Sequence, residues 1–257
     1  MLYRMNPLKR FSERAAYYAQ YRPTYPDEAI IRVLTNLEVS DTLVAADMGA
    51  GTGISARLLA NKGVNVIAIE PNREMSKVAT IHPNVKFKVG TAEQTHLSAQ
   101  SVDLVTAFQA FHWFNPEPTL LEFNRILKPS GRLAIVWNHR NRTDEFTQEY
   151  SQILKSASSY HPAEKETRRK SIDYVKESSL FTHFRYFKVA HQQKLDLPAL
   201  IGRTQSASYV PIVGKEAERI IHDLETIYEK WKDKQGFVYI AYRTDIYLAE
   251  AKDKSKH

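Results

Sequence analysis

The sequence predicts a doubly wound α/β fold built on a mostly parallel, seven-stranded sheet, with helical inserts covering one edge. Three observations predict it. Short apolar runs alternate with helical patterns from Thr42 to Asn138. The first run feeds straight into a glycine-rich loop, "DMGAGTG" (Asp47 to Gly53), which opens a helix. The runs are apolar throughout rather than alternating, as strands covered on both faces are. In such folds ligands lie beyond the carboxyl ends of the strands.

Each element has its own signal. Pro26 followed by Asp27 and Glu28 marks a helix start, and Ile30, Ile31, Val33, Leu34 and Leu37 supply its apolar side. "TLVAAD" from Thr42 is the first strand, followed by a helix near Ile54 to Asn61. "VNVIAIE" (Val64 to Glu70) is the second, with a helix from about Asn72 to Thr80. "VKFKVG" from Val85 and "SVDLVTAFQ" from Ser101 are the third and fourth. A helix around Pro118 to Leu127 stops at "KPSG", and "GRLAIVWN" from Gly131 is the fifth strand.

After Asn138 the rhythm changes. Residues 139–180 are polar and helical in pattern, "FRYFKVAHQQKL" reads as a sixth strand, and 197–232 are helical again. "FVYIAYRTDIYLA" is a long final strand that returns the chain to the sheet. The expected organisation is an N-terminal segment over 1–25, a core that carries the glycine loop over 26–138, and the remaining strands with cover inserts (about 139–180 and 197–232) over 139–257.

Composition narrows the functional classes. With 257 residues, 43% hydrophobic and 25% charged, the chain can bury a sizeable core. It has no cysteine, which excludes disulfides, thiolate zinc sites and a cysteine nucleophile and agrees with a reducing compartment. The start shows no signal-peptide pattern, and no run approaches 18 apolar residues, so a cytoplasmic protein with no membrane span is expected. The net charge of +7 is densest in "KETRRK" (Lys165 to Lys170) and in the tail "KDKSKH". These patches fit solvated surface, attraction of a small anionic substrate, or nucleic acid, and charge does not separate the three. The nine histidines lack ligand spacing, so no metal is expected.

The glycine loop admits three readings. A phosphate loop needs Lys and Ser or Thr after its last glycine, and here Ile54 and Ser55 follow Gly53. The dinucleotide fingerprint needs a glycine at position 54; Glu70, about 20 residues on, still keeps a variant nicotinamide site open. The stretch matches D-x-G-x-G-x-G. Asp47 then suits a cationic amino group, the glycines admit close backbone approach, and Glu70 can accept both hydroxyls of a ribose. A nucleoside that carries an amino acid fits this set better than a pyrophosphate.

With "DMGAGTG", "IEPN", "GTAEQ", "VDLVTAFQAFHWF" and "RILKPSGRLAIVWN" in order, the sequence resembles the class I S-adenosylmethionine-dependent methyltransferases, whose fold is Rossmann-like. Within them it is similar to the type-11 group and its trans-aconitate methyltransferase branch, through "FSERAAYYAQYRPTYP" and "QAFHWF". The resemblance implies S-adenosylmethionine as cofactor and S-adenosylhomocysteine as product. It assigns Asp47, Gly49, Ala50, Gly51 and Gly53 to the methionine part, Glu70 to the ribose, and Pro71 and Met75 to the adenosine. Thr91, Ala92 and Glu93 would surround the adenine, with Thr91 standing where many relatives have Asp. Gln109 and Ala110 would lie beside the sulfonium.

The resemblance also makes the N-terminal segment, with Phe11, Tyr17, Tyr18 and Tyr21, a lid over the cofactor. Tyr18 is then a pocket wall and Arg22 a partner for the cofactor carboxylate, which a planar guanidinium can grip with two bonds. His112 is a candidate general base, Trp113 a wall of the substrate pocket, and His139 a weaker candidate just past the fifth strand. In "LIGRTQSASYV", Arg203 and Tyr209, beside Ser206 and Ser208, are candidates to grip an anionic or polar substrate, with Tyr21 on the lid side. Each has a plain structural alternative as a packed or surface residue.

The expected reaction is in-line methyl transfer to a small acceptor, a carboxylate being the class that needs no base, by a monomer or homodimer. An RNA methyltransferase, a nicotinamide-dependent oxidoreductase and a non-catalytic cofactor binder are the alternatives. The base-amine box N/D-P-P-[FY] is absent, with "FQAFHWFNP" in its place.

Overall fold

The computed structural model describes residues 15–157 and 163–252. Phe11, the first part of the lid segment, and the basic tail after Lys252 lie outside them. Seven strands form one sheet: β1 (Val44–Met48), β2 (Asn65–Ile69), β3 (Val85–Lys88), β4 (Val102–Phe108), β5 (Leu127–Arg140), β6 (Phe181–Leu195) and β7 (Val238–Ala251). Their spatial order is β3-β2-β1-β4-β5-β7-β6, and the first five run parallel. Only β7 is antiparallel to its neighbours, which fits its direct descent from the cover into the gap between β5 and β6.

Helices α2 (Asp27–Leu34) and α3 (Ile54–Ala60) cover one face, where Ile30, Val33 and Leu59 pack on Ala45 and Leu104. α5 (Pro116–Ile126) and α7 (Ala163–Glu177) cover the other, with Phe123, Ile126, Ile172 and Val175 against Val105 and Ile135. The short α4 (Arg73–Lys77) follows β2 and is capped by Asn72, whose side chain accepts the Glu74 amide at 3.0 Å. A third core belongs to the cover. Tyr150 and Leu154 of α6 (Glu145–Lys155), Leu200 of α8 (Leu197–Gln205), and Ile220 and Leu224 of α9 (Lys215–Trp231) meet Ile240 of β7.

Three boundaries differ from the sequence reading. The lid segment contains a helix, α1 (Ala15–Tyr21), that lies against α8. The helix expected at Pro118 begins at Pro116, because Pro is favourable in a first turn that has no amide partner to lose. β5 extends at both ends beyond "GRLAIVWN". Leu127 already pairs with Val102, after which an irregularity and Ser130 at φ 58° reset the register. At the other end the ladder with β7 continues to Arg140↔Tyr242. That extension carries a basic side chain to the edge where the ligand site lies.

Candidate active site

The loop after β1 is shaped by three glycines with φ of 65°, 57° and 74° at Gly49, Gly51 and Gly53. At Gly49 no other residue fits: a Cβ there would sit 2.8 Å from the Cβ of Ala110. The loop amides turn toward the end of β2. Gly49 and Ala50 donate to the Ile69 carbonyl at 2.9 and 3.1 Å, and Gly51 donates to the Glu70 carboxylate at 2.7 Å. The second Glu70 oxygen accepts the Asn72 amide at 2.8 Å. Burial raises the Glu70 pKa, and these two amide bonds oppose that rise.

Asp47 is wholly buried beneath the loop. It accepts the Ser55 hydroxyl at 2.6 Å and the Thr106 hydroxyl at 2.7 Å, joining β1 to α3 and β4. Burial pushes its pKa up to about 6, against the pull of the two hydroxyls. In this geometry Asp47 buttresses the loop. It is not among the residues that line the cavity described next.

That cavity, of about 440 Å³, lies at the carboxyl ends of β4 and β5 under the cover. Of the sequence candidates, Tyr18, Arg22, Gly49, Ala50, Gln109, His112, Trp113, Arg203 and Tyr209 line it, as do His139 and Ser208. Gly51, Gly53, Glu70, Pro71, Met75, Thr91, Ala92, Glu93 and Ala110 do not; they gather around the loop and the ends of β2 and β3. Met75 lies beneath Gly51, and Glu93 accepts the Asn115 amide at 2.9 Å. Thr91 caps its own turn through the Gln94 amide at 3.2 Å, while Ala92 is buried beside it.

Tyr21 departs from its expected place as a substrate contact. Its ring lies flat against Gly202 of α8, and its carbonyl accepts Gln193 at 3.0 Å. The cause is geometric: one helical turn separates it from Tyr18, and the missing Cβ of Gly202 leaves a seat for the ring. Tyr21 therefore docks the lid helix on the cover.

The wall chemistry is strongly one-sided. Among the described residues Arg22, Arg140, Arg142, Arg168, Arg203 and Arg243 line the cavity, and no Asp or Glu does. Arg243 is matched from behind by Asp245 at 2.8 and 2.9 Å, which also stands 3.3 Å from His139. The three arginines nearest the cover have neutral partners instead. Arg22 lies over the Tyr18 ring at 4.6 Å and donates to the Ser206 carbonyl at 3.1 Å. Arg203 donates to the Tyr242 hydroxyl at 3.2 Å and Ser206 Oγ at 3.3 Å. Arg140 reaches the Tyr209 hydroxyl at 3.4 Å and sits 5.5 Å over the Tyr150 ring. Nε of Arg22, Nη1 of Arg140 and Oε1 of Gln109 are buried with no hydrogen-bond partner. Buried donors and cations without partners are costly, so the two arginines suit an anionic occupant, while the Gln109 oxygen suits a donor.

Arg140, Arg142, Arg168, Arg243 and Tyr242 were not read from the sequence. Arg140 ends the fifth strand and Arg142 lies just past it, where the rule that ligands sit beyond strand ends points to them. Arg168 was hidden in a charge run that reads as surface. Arg243 and Tyr242 reach the site only because β7 runs antiparallel and brings its beginning beside the end of β5.

Fold and loop together are those of the Rossmann-like fold seen in solved methyltransferase structures. Residues 46–135 match the family described as a methyltransferase domain. An uncharacterized methyltransferase of Schizosaccharomyces pombe is 36% identical over 149 residues, 57% of this chain and 59% of that protein. One of Mycobacterium bovis is 36% identical over 145 residues, 56% of this chain and 58% of that one. The matched segment thus spans about three-fifths of each relative's length. Among solved structures, one named for a type II methyltransferase of Anaeromyxobacter dehalogenans shares the fold with a TM-score of 0.67 at 21% identity, covering 90% of this chain and 98% of that one. Another, named for an antibiotic-pathway methyltransferase of Anabaena variabilis, reaches 0.61 at 22% identity over 89% and 98%.

Among the described residues no cluster of three potential metal ligands occurs, and no helix is long and apolar enough to cross a membrane.

Proposed function

We propose that the protein transfers a methyl group from S-adenosylmethionine to a small anionic acceptor, a carboxylate in the first instance. The observation that carries this reading is a cavity wall whose described residues include six arginines and no acid. One anionic group is accounted for by the cofactor's own carboxylate; the remaining positive charge calls for an acceptor that also bears negative charge.

The residues fit the cofactor. Gly49, Gly51 and Gly53 hold the loop in left-handed backbone, and Arg22 carries a buried Nε without a partner in the same cavity as Gly49 and Ala50. Arg22 is suited to the carboxylate, the loop to the methionine part, and Glu70 with Met75 to the adenosine side. When bound, S-adenosylmethionine supplies a methyl group already activated by a sulfonium charge. A carboxylate acceptor would take that methyl on an oxygen that carries no hydrogen, so the residues here would have no proton to move and only an anion to hold and orient. The protein's part is alignment and exclusion of water. The arginines hold the acceptor, Trp113 and Tyr18 wall the cavity, and the cover of α6, α8 and α9 closes it.

An acceptor screen tests the reading. Purified protein, S-adenosylmethionine and single small acids, trans-aconitate among them, are assayed for S-adenosylhomocysteine release, with neutral phenols and amines as controls. Turnover of acids alone is expected. Turnover confined to neutral acceptors, or to RNA in a salt-sensitive manner, overturns it.

A further inference from the structure

His112 sits on the single turn Phe111–Trp113 after β4 and is buried, with its ring 5.2 Å from that of Trp113 and 6.3 Å from that of Trp137. The indole Nε1 of Trp137, itself fully buried on β5, points at His112 Nδ1 at 3.3 Å. An indole nitrogen only donates. Nδ1 must therefore offer a lone pair, and in the neutral ring the hydrogen resides on Nε2. No group of the protein pairs with Nε2 among the described residues, and His112 lines the cavity. The groups that act on the ring electrostatically are Arg168 of α7 and His139 of β5. With burial, both hold its pKa well below the ordinary histidine range, so the neutral form prevails at neutral pH.

We propose that His112 serves the proposed methyl transfer as a neutral hydrogen-bond donor, through Nε2–H, to an oxygen of the acceptor, and that Trp137 is the positioning residue that fixes this tautomer. A base role is incompatible with this arrangement. The lone pair that a base would need is turned away from the acceptor and engaged by Trp137, and the nitrogen facing the ligand already carries its hydrogen. The arrangement matches chemistry in which no proton moves: a carboxylate has a second oxygen, and a donor on that oxygen orients the attacking one without neutralising it. The proposal thus rests on the anionic-acceptor reading for its ligand, but the tautomer does not depend on it.

The test has two arms. Long-range ¹H–¹⁵N correlation spectra of the uniformly labelled, ligand-free protein, with His112 assigned by its absence in His112→Gln, report the tautomer directly. The expected result is a neutral Nε2–H pattern unchanged from pH 6 to 8, with the Nδ1–H form appearing in Trp137→Phe. A Nδ1–H pattern in the unaltered protein, or a titration centred near pH 6.5, overturns the proposal. In the second arm, kcat and its pH profile are measured for His112→Gln and His112→Ala with an acid that turns over. A donor is retained by Gln, so His112→Gln is expected within about tenfold of the parent with a flat profile, and His112→Ala well below it. Equal loss in both variants, with an acid limb in the parent's profile, restores the base. If no acid turns over, the acceptor reading falls while the first arm still decides the tautomer.

Discussion

The Glu70 carboxylate accepts the Gly51 amide at 2.7 Å, so the acid that ends β2 also holds the glycine loop that follows β1. A residue expected from the sequence to contact a ribose is thus observed as a brace of the loop. Glu70→Ala leaves the Gly51 and Asn72 amides without their acceptor, at a cost of roughly 1–3 kcal/mol each if no water replaces it. The expected outcome is a lower unfolding midpoint together with at least tenfold weaker binding of S-adenosylhomocysteine by calorimetry. Glu70→Gln, which keeps one good acceptor oxygen, should lie between. Undiminished affinity in a folded Glu70→Ala protein would remove Glu70 from the cofactor site.

Gly49 and Gly214 make a controlled pair. Both have positive φ, at 65° and 86°, and with ψ 176° Gly214 lies in a region essentially confined to glycine, so alanine is strained at either position. At Gly214 an added Cβ meets nothing within 4 Å, whereas at Gly49 it meets Ala110 and the Phe114 ring. Both variants should therefore lose stability in urea denaturation, and only Gly49→Ala should lose S-adenosylhomocysteine binding. Equal losses with intact binding in both would mean that the loop yields to the extra methyl.

Much of this was legible in the sequence because the controlling forces are local. "TLVAAD" followed by spaced glycines commits the chain to a strand and a left-handed loop whatever surrounds it, and the parallel strands announce themselves through unbroken apolar runs. The glycine loop was legible for that reason, while Gln109 and Arg22, which line the cavity, came from the family resemblance. The arginine wall was not, because it depends on topology. Arg243 reaches the cavity only through the β5–β7 ladder, where His139 pairs with Arg243 and Arg140 with Tyr242. The tautomer of His112 likewise depends on Trp137, 25 residues away on the next strand. Tyr21 was misplaced because its seat is a missing side chain, Gly202, on a distant helix.

Asp47 predicts a pH dependence of stability. Its carboxyl titrates near 6 in the folded protein, above the 3.8 of an unfolded chain, because burial disfavours the charge. Folding thus favours the protonated acid. Its contribution to stability is fully present below about pH 3.8 and is lost as pH rises through about 6. A rise of that size corresponds to about 3 kcal/mol. Asp47→Asn, which is neutral throughout and can still bond both hydroxyls, should therefore gain on the parent between pH 4 and 6 and keep that gain at pH 7. Paired denaturation curves at pH 4, 5, 6 and 7 measure it. A stability difference that is flat with pH would show that Asp47 ionises normally in the folded state.

Arg140 separates binding from stability. Its buried Nη1 has no partner and its neighbours are the neutral Tyr209 hydroxyl and Tyr150 ring, so in the absence of ligand the guanidinium is an uncompensated cation. Replacing such a charge with an apolar side chain of similar length is commonly neutral or stabilising. Arg140→Met should unfold at the same temperature as the parent or higher when no ligand is present. With S-adenosylhomocysteine saturating and trans-aconitate added, the parent should gain stability as the acid binds, about 2.7 kcal/mol at a hundredfold excess over Kd, and the variant should gain much less. This is the pattern of a residue kept for its ligand at some expense to the empty fold. The opposite pattern, a ligand-free variant that unfolds several degrees lower and yet responds fully to the acid, would make Arg140 a brace between β5 and the tyrosines of the cover.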